Sequence, residues 1–465
     1  GVVMTLLSTL LPAWEANRTE PIAVQQRSVL EEQWRRRLPL LVIVGIGLLL
    51  LGMSLVNSDH DSLLEGYMAL TMIVLGFCLI VPSLVVGLIR VTLMIISPMQ
   101  TQVVRMAIRG ISAGISRTGL AVAALTVAVS VTVGVGVMIG SLRHTVIVWL
   151  EQSLNGDIYI APASPNNISS VNSLMHELVE VDGIRRVTSN RVLNVESEFG
   201  PVRLMAITPN GVELRMPIKS SLQGATELFS TGQGVLISEP LAYHRQLGTG
   251  DTLSLHTRKG PRQFPIVGVF YDYTSTHGMV AMQRDLYRHW WGDDSISGLT
   301  VYGNDGIATE TLRNSIRTVI GSRQAQFLVI SNSEIRQNAM GIFDRTFVIT
   351  DVMRILAVLV AFIGVLSALI ALQLERAREF GILRATGMTP GQVRVMIIVQ
   401  TLLMGLFAGL LAIPLGLLMA DVLIEVINRR AFGWSMQQIL PPVVLVQAMS
   451  LALISAFLAG LYPAQ

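Results

Sequence analysis

Six stretches of this chain, 38–58, 66–89, 118–142, 355–374, 395–420 and 441–465, contain no Asp, Glu, Lys or Arg. Each holds at least 20 residues, the length a helix needs to cross the hydrocarbon of a bilayer. Backbone in hydrocarbon must satisfy its own hydrogen bonds, so runs of this kind are spanning helices. Only 14% of the 465 residues are charged, against about 25% in soluble domains, and the deficit is concentrated in these runs. Residues 149–345 have a soluble composition, with mixed charge and frequent turn signals. The fold class is a polytopic α-helical membrane protein with a large inserted extracytoplasmic α/β (α+β) domain.

In chain order, 1–14 read as the end of a spanning helix and 15–37 as a polar connector. Spanning helices follow at 38–57 and 66–97. Residues 98–117 are expected to lie at the interface as an amphipathic helix, since Val103, Val104, Ala107, Ile108 and Ile111 recur at helical spacing. Residues 118–148 cross again and continue as a stalk, and 346–374 return from the domain. A charged segment at 375–394 and helices at 395–428 and 441–465 complete the order. The small residues of Thr118–Leu142 favour close helix packing, either within the chain or at a dimer seam. Both ends fall in apolar runs, so the chain is expected to be cut from a longer polypeptide. Thr9–Ala13 echoes Gly460–Ala464, as two copies of one module would.

Arginine fixes the orientation. The connectors 15–37, 98–117 and 375–394 carry five, three and four arginines. The loop 58–65 carries none, and 421–440 carries Arg429 and Arg430. By the positive-inside rule the first group is cytoplasmic and the inserted domain faces outward. Within that domain the pattern predicts helices at 168–181, 239–246, 284–291 and 308–320. Strands are predicted at 187–199, 203–208, 234–238, 252–256, 263–273, 280–282, 299–302 and 326–330.

Several kinds of chemistry are excluded or unsupported. There is no G-x-x-x-x-G-K-[ST] loop, and the only lysines, Lys219 and Lys259, lie in the inserted domain. Any ATP must be used by another chain, and no cofactor is expected. His176, His244, His256, His277 and His289 show no metal-ligand spacing. Cys78, the single cysteine, lies in an apolar run and forms no disulfide. Ser238–Glu239 reads as a helix cap, and Trp290–Trp291 as core packing in preference to a partner contact. A net charge of +3 is explained by topology, and no nucleic-acid partner is expected.

The segment 375–394, ERAREFGILRATGMTPGQVR, cannot sit in lipid, where each charge costs about 2.5–3.5 kcal/mol at the bilayer centre. Its ordered residues Glu375, Arg376, Arg378, Glu379, Gly381, Arg384, Gly387 and Met388 resemble the most specific stretch of the FtsX-like permease module of ABC transporters. That group contains the MacB and LolC/LolE types. The resemblance covers 104–465, with 2–21 similar to the tail of a second module and 38–97 similar to the two extra spans of two-module permeases. It implies a mechanical role, in which a cytoplasmic ABC ATPase dimer moves the outer domain. Residues 375–394 would then be the coupling helix seated on the ATPase.

The same resemblance implies a bacterial inner-membrane location and export or extraction of a membrane lipid, lipoprotein or hydrophobic compound. A periplasmic protein or lipoprotein is a possible further partner. The alternative is a non-transporting regulator of a periplasmic partner such as a cell-wall hydrolase, as FtsX cell-division proteins are.

Overall fold

The computed structural model describes residues 27–58, 62–96, 102–164, 168–208 and 216–461. The expected helix end at 1–14, most of the connector 15–37, Asp59 and Asp61, and the Tyr462–Ala464 echo lie outside these residues.

The chain opens with helices α1 (Arg27–Val56), α2 (Leu63–Ile96), α3 (Gln102–Ala113) and α4 (Ile115–Ser153). The inserted domain contributes β1 (Ile158–Pro162), α5 (Ile168–Val179), β2 (Ile184–Ser197), β3 (Gly200–Ile207), β4 (Ile218–Ser221) and α6 (Ala225–Ser230). It continues with β5 (Val235–Ser238), α7 (Glu239–Arg245), β6 (Thr252–Thr257), β7 (Gly260–Phe270), β8 (Met279–Gln283), α8 (Arg284–Trp291), β9 (Gly298–Gly303), α9 (Thr309–Ile320) and β10 (Phe327–Ser331). Helices α10 (Asn332–Ala385), α11 (Pro390–Asp421) and α12 (Pro442–Leu461) close the order. Two compact units result: one of residues up to 138, 350–426 and 440 onward, the other of 139–349 with 427–439.

Five helices among the described residues are long and apolar enough to span a membrane. They are Arg36–Val56, Leu63–Ile95, Ile115–Ser153, Pro390–Phe432 and Pro442–Leu461. The remaining charge-free run, 355–374, lies inside the 54-residue α10. Helix α1 packs on α2, and α11 packs on α12 and α3. The small-residue face of α4 is used within the chain. A Cβ on Gly416 of α11 would stand 2.5 Å from Val133 Cβ and 2.9 Å from the Ser130 carbonyl. Only glycine lets the two backbones approach so closely.

Helix α3 packs its apolar stripe on protein. Ala107, Ile108 and Ile111 are fully buried while Arg105 and Arg109 are exposed. The apolar stripe is covered by protein, because the same helical repeat suits a neighbouring helix as well as lipid.

In the second unit the described strands form one ten-stranded mixed sheet, ordered β10-β1-β9-β2-β3-β8-β5-β7-β4, with β6 pairing β2 and β7. Only β3–β8 and β5–β7 pair in parallel. Three cores share the sheet. In one, Ile158, Ile160, Leu299 and Val301 meet Leu174 and Leu178 of α5 and Ile316 of α9. In a second, Leu204, Ile237, Leu253, Ile266 and Val280 meet Leu241 and Tyr287. In a third, Leu236, Val267, Phe270 and Ala281 meet Ala225 and Phe229 of α6. Trp290 and Trp291 pack against this second core, Trp291 stacked on Tyr287 at 5.3 Å between ring centres.

Two strands and a helix had no warning in the sequence. Strand β1 is five residues ending in proline and is paired on both sides by strands from 327–331 and 298–303. Its existence depends on partners over 130 residues away. Strand β4 and helix α6 have four and six residues, too short to show a period. A third departure is Ser238. It occupies the cap position of α7, but no side-chain cap bond forms there, and its Oγ accepts the Met279 amide instead, at 2.7 Å.

Candidate functional site

The charged segment 375–394 is a helical corner, not a helix of its own. No residue near 374 breaks the spanning helix, so α10 runs unbroken through Glu375, Arg376, Arg378, Glu379, Gly381 and Arg384 to Ala385. Glycine in a helix interior costs only about 0.5–1 kcal/mol relative to alanine, so Gly381 does not end it. Gly387 does. The Met388 amide donates to the Leu383 carbonyl at 3.0 Å and the Gly387 amide to that of Arg384 at 3.1 Å. This pair of bonds is the Schellman closure, and it requires a left-handed residue at the turn. Gly387 supplies it at φ +105°.

Helix α11 begins at once. Thr389 Oγ1 accepts the Gln392 amide at 3.3 Å, Gln392 Oε1 accepts the Thr389 amide at 2.9 Å, and Pro390 occupies the first turn. The reciprocal box and the proline satisfy or remove amides that have no partner inside the helix. The whole turn takes residues 386–389. Gly381, Arg384, Gly387 and Arg394 are exposed, and Met388 is half-buried. The corner thus presents arginine on backbone that is hydrogen-bonded on both sides of the bend. It is a rigid polar surface suited to a wet protein interface.

A second arrangement was not foreseen. Residues 427–439 belong to the soluble unit; the helical continuation of α11 ends at Phe432, and 433–439 run on without regular structure as a strap. The Ile439 amide donates to Ser141 Oγ at 3.0 Å and the Gln437 amide to Thr145 Oγ1 at 3.1 Å. Tyr273 Oη donates to the Ser435 carbonyl at 2.9 Å, and the Ser435 amide donates to Glu239 Oε2 at 3.2 Å. Trp434 sits edge-on to Tyr273 at 5.6 Å and stacks on Phe432 at 5.0 Å. Its indole donates to the Ser275 carbonyl at 3.3 Å.

Beneath the strap, Glu239 is 3% exposed and paired with Lys219. Burial, followed by the Glu239 charge, holds the Tyr273 hydroxyl well above the usual phenol range. Arg429, one of the two arginines in this loop, lies over the Tyr243 ring at 5.3 Å. The signal was the aromatic cluster Phe432–Trp434 inside a loop otherwise read only for its charge.

Residues 118–319 match the MacB-like periplasmic core domain, and 352–465 match the FtsX-like permease C-terminal region. The chain thus combines a MacB-like periplasmic core domain with an FtsX-like permease C-terminal region. An ABC transporter permease protein of Mycobacterium tuberculosis is 34% identical across the whole of this chain, which spans 55% of that relative's length. A macrolide export ATP-binding/permease protein MacB from Shewanella is 23% identical over 43% of this chain and 29% of its own. Among solved structures, the periplasmic region of MacB from Actinobacillus actinomycetemcomitans covers 40% of this chain and 93% of its own. Its identity is 16% and its TM-score 0.32. In this chain, the MacB-like match takes in α4 and the domain as far as α9. The FtsX-like match takes in most of α10, the corner and the strap.

Proposed function

We propose that this chain is the membrane subunit of a mechanotransmitting ABC transporter of the bacterial inner membrane. A separate cytoplasmic ATPase dimer engages the corner 375–394. Its ATP cycle moves the outer domain to export or extract a lipid, lipoprotein or hydrophobic compound.

The corner carries this reading. Two long helices meet in a four-residue turn fixed by a Schellman closure and a capping box, with Arg384 and Arg394 exposed around it. A push on such a corner is transmitted along both helices instead of being absorbed by a loose loop. The segment 427–439 adds two chain crossings between the units to those in α4 and α10. The lack of a phosphate-binding loop in the sequence leaves ATP binding to the partner.

Charge reversal tests the reading. Glu379→Lys and Arg384→Glu are expected to abolish stimulation of the partner's ATPase activity in reconstituted membranes, while the chain still inserts and co-purifies as a folded protein. Normal stimulation in both variants would show that the corner is not the coupling surface.

A further inference from the structure

Strands alternate their side chains, so the residues of β1, β9 and β2 that are not in the core under α5 and α9 face the other way. There, with β3, α6 and the segment that follows β7, they line a half-open cavity of about 310 Å³ in the soluble unit. Trp149, Tyr159, Phe270, Tyr271 and Tyr302 give it an aromatic lining. Among the described residues that line it, Asp272 is the one with a charged side chain.

Asp272 is in an unusual state for a carboxylate. It is 3% exposed. Its Oδ1 accepts the Thr274 amide at 2.9 Å and the Thr274 hydroxyl at 2.6 Å. Its Oδ2 has no partner, and Ser230 Oγ, of another lining residue, also lacks one. A buried polar atom left unpaired costs about 1–3 kcal/mol, and more when charged, so native structures rarely leave one without a use. Burial pushes the carboxyl above its usual range, with the Thr274 bonds and the Arg203 charge opposing. An incoming cationic donor would remove that penalty.

We propose that this cavity is a binding site for an organic amine. The ammonium pairs with Asp272, and a compact apolar or aromatic body lies against the aromatic lining. Rings supply cation–π attraction as well as apolar surface. A cavity of about 150 Å³ holds benzene, so this one has room for a bicyclic amine against its rings. The site is independent of the coupling corner, and ligand binding here needs no ATPase.

The test uses the full chain in lipid nanodiscs without any ATPase, titrated calorimetrically, with empty nanodiscs subtracted. Tryptamine is the probe, and 3-ethylindole, which keeps the ring and loses the amine, is its neutral counterpart. Saturable binding of one tryptamine per chain is expected, with 3-ethylindole at least tenfold weaker. Asp272→Asn is expected to weaken tryptamine at least tenfold and to leave 3-ethylindole unchanged. No saturable tryptamine binding overturns the proposal, as does equal affinity of the two probes for the unaltered chain. The comparison of probes needs no variant and so stands even if Asp272→Asn fails to fold.

Discussion

At the scale of single residues, Gly387 and two aspartates carry the sharpest expectations. Gly387 holds φ +105°, and nothing lies within 4 Å of the point where a Cβ would stand, so strain and not crowding opposes a side chain there. Gly387→Ala is expected to cost about 1–2 kcal/mol, seen as a lower melting temperature of the purified chain. Gly381→Ala, in the helix interior, should be neutral or stabilising. The aspartates respond to pH in opposite directions. Burial pushes Asp293 up, but bonds from Ser295 and Tyr287 and the charge of Arg191 outweigh it and hold the carboxyl well below its usual range. Its contribution to stability is therefore present above the unfolded value of about 3.9 and is lost as pH falls through the folded one. Asp272, held above its usual range, binds its proton more tightly when folded. Stability falls as pH rises from the unfolded value through the raised one and stays lower above it. Asp272→Asn is expected to raise the melting temperature at neutral pH, and Asp293→Asn to lower it. The same direction for both would contradict this account. Gly387, Thr389 and Pro390 form a turn that acts over four residues, yet 375–394 was expected to be one helix and not a corner. The isolation of Asp272 was not legible in sequence, because it depends on α4, β9 and the segment after β7 meeting in space.

At the scale of elements, the strap shows how a loop can be misread from charge alone. Its anchor is Glu239, buried beneath Ser435 and paired with Lys219 of β4. Removing one partner of a buried ion pair leaves the other uncompensated and costs about 3–5 kcal/mol, whereas replacing both can be nearly neutral. Lys219 is a third exposed, so the lower end applies. Lys219→Met is expected to destabilise the soluble unit by about 3 kcal/mol, and Lys219→Met with Glu239→Leu to recover part of the loss. A double mutant no more stable than the single one would mean that the strap's bond to Glu239, and not the ion pair, dominates. Strong local patterns gave α8 and α9 almost to the residue, as the Gln283 cap and the Gly292 and Gly321 ends stand in the sequence. Strands β1 and β4 have no such signals, and the sheet alone makes them. The small-residue face of α4 was legible as a packing surface, but only the structure gives α11 as its partner.

At the scale of the whole molecule, the remaining question is which side of the membrane each unit faces, and charge answers it physically. Arg384 and Arg394 are exposed on the corner, and a charge at the bilayer centre costs about 2.5–3.5 kcal/mol, so the corner must sit in water or among headgroups. Arginine in short loops is retained on the cytoplasmic side. The loop that departs from this pattern, 421–440, has Arg429 over Tyr243 and belongs with the soluble unit through 427–439, so its arginines are explained by local packing. The corner is thus expected inside the cell and the soluble unit outside. Cys78 is the chain's single cysteine, so Cys78→Ser gives a background for labelling. Thr276 and Thr386 are both exposed, one in the soluble unit and the other at the corner. In intact cells an impermeant maleimide is expected to label Thr276→Cys and spare Thr386→Cys, and to label both once the membrane is opened. Labelling of both in intact cells, or of Thr386→Cys alone, would invert the topology and remove the corner as a surface that a cytoplasmic ATPase could reach.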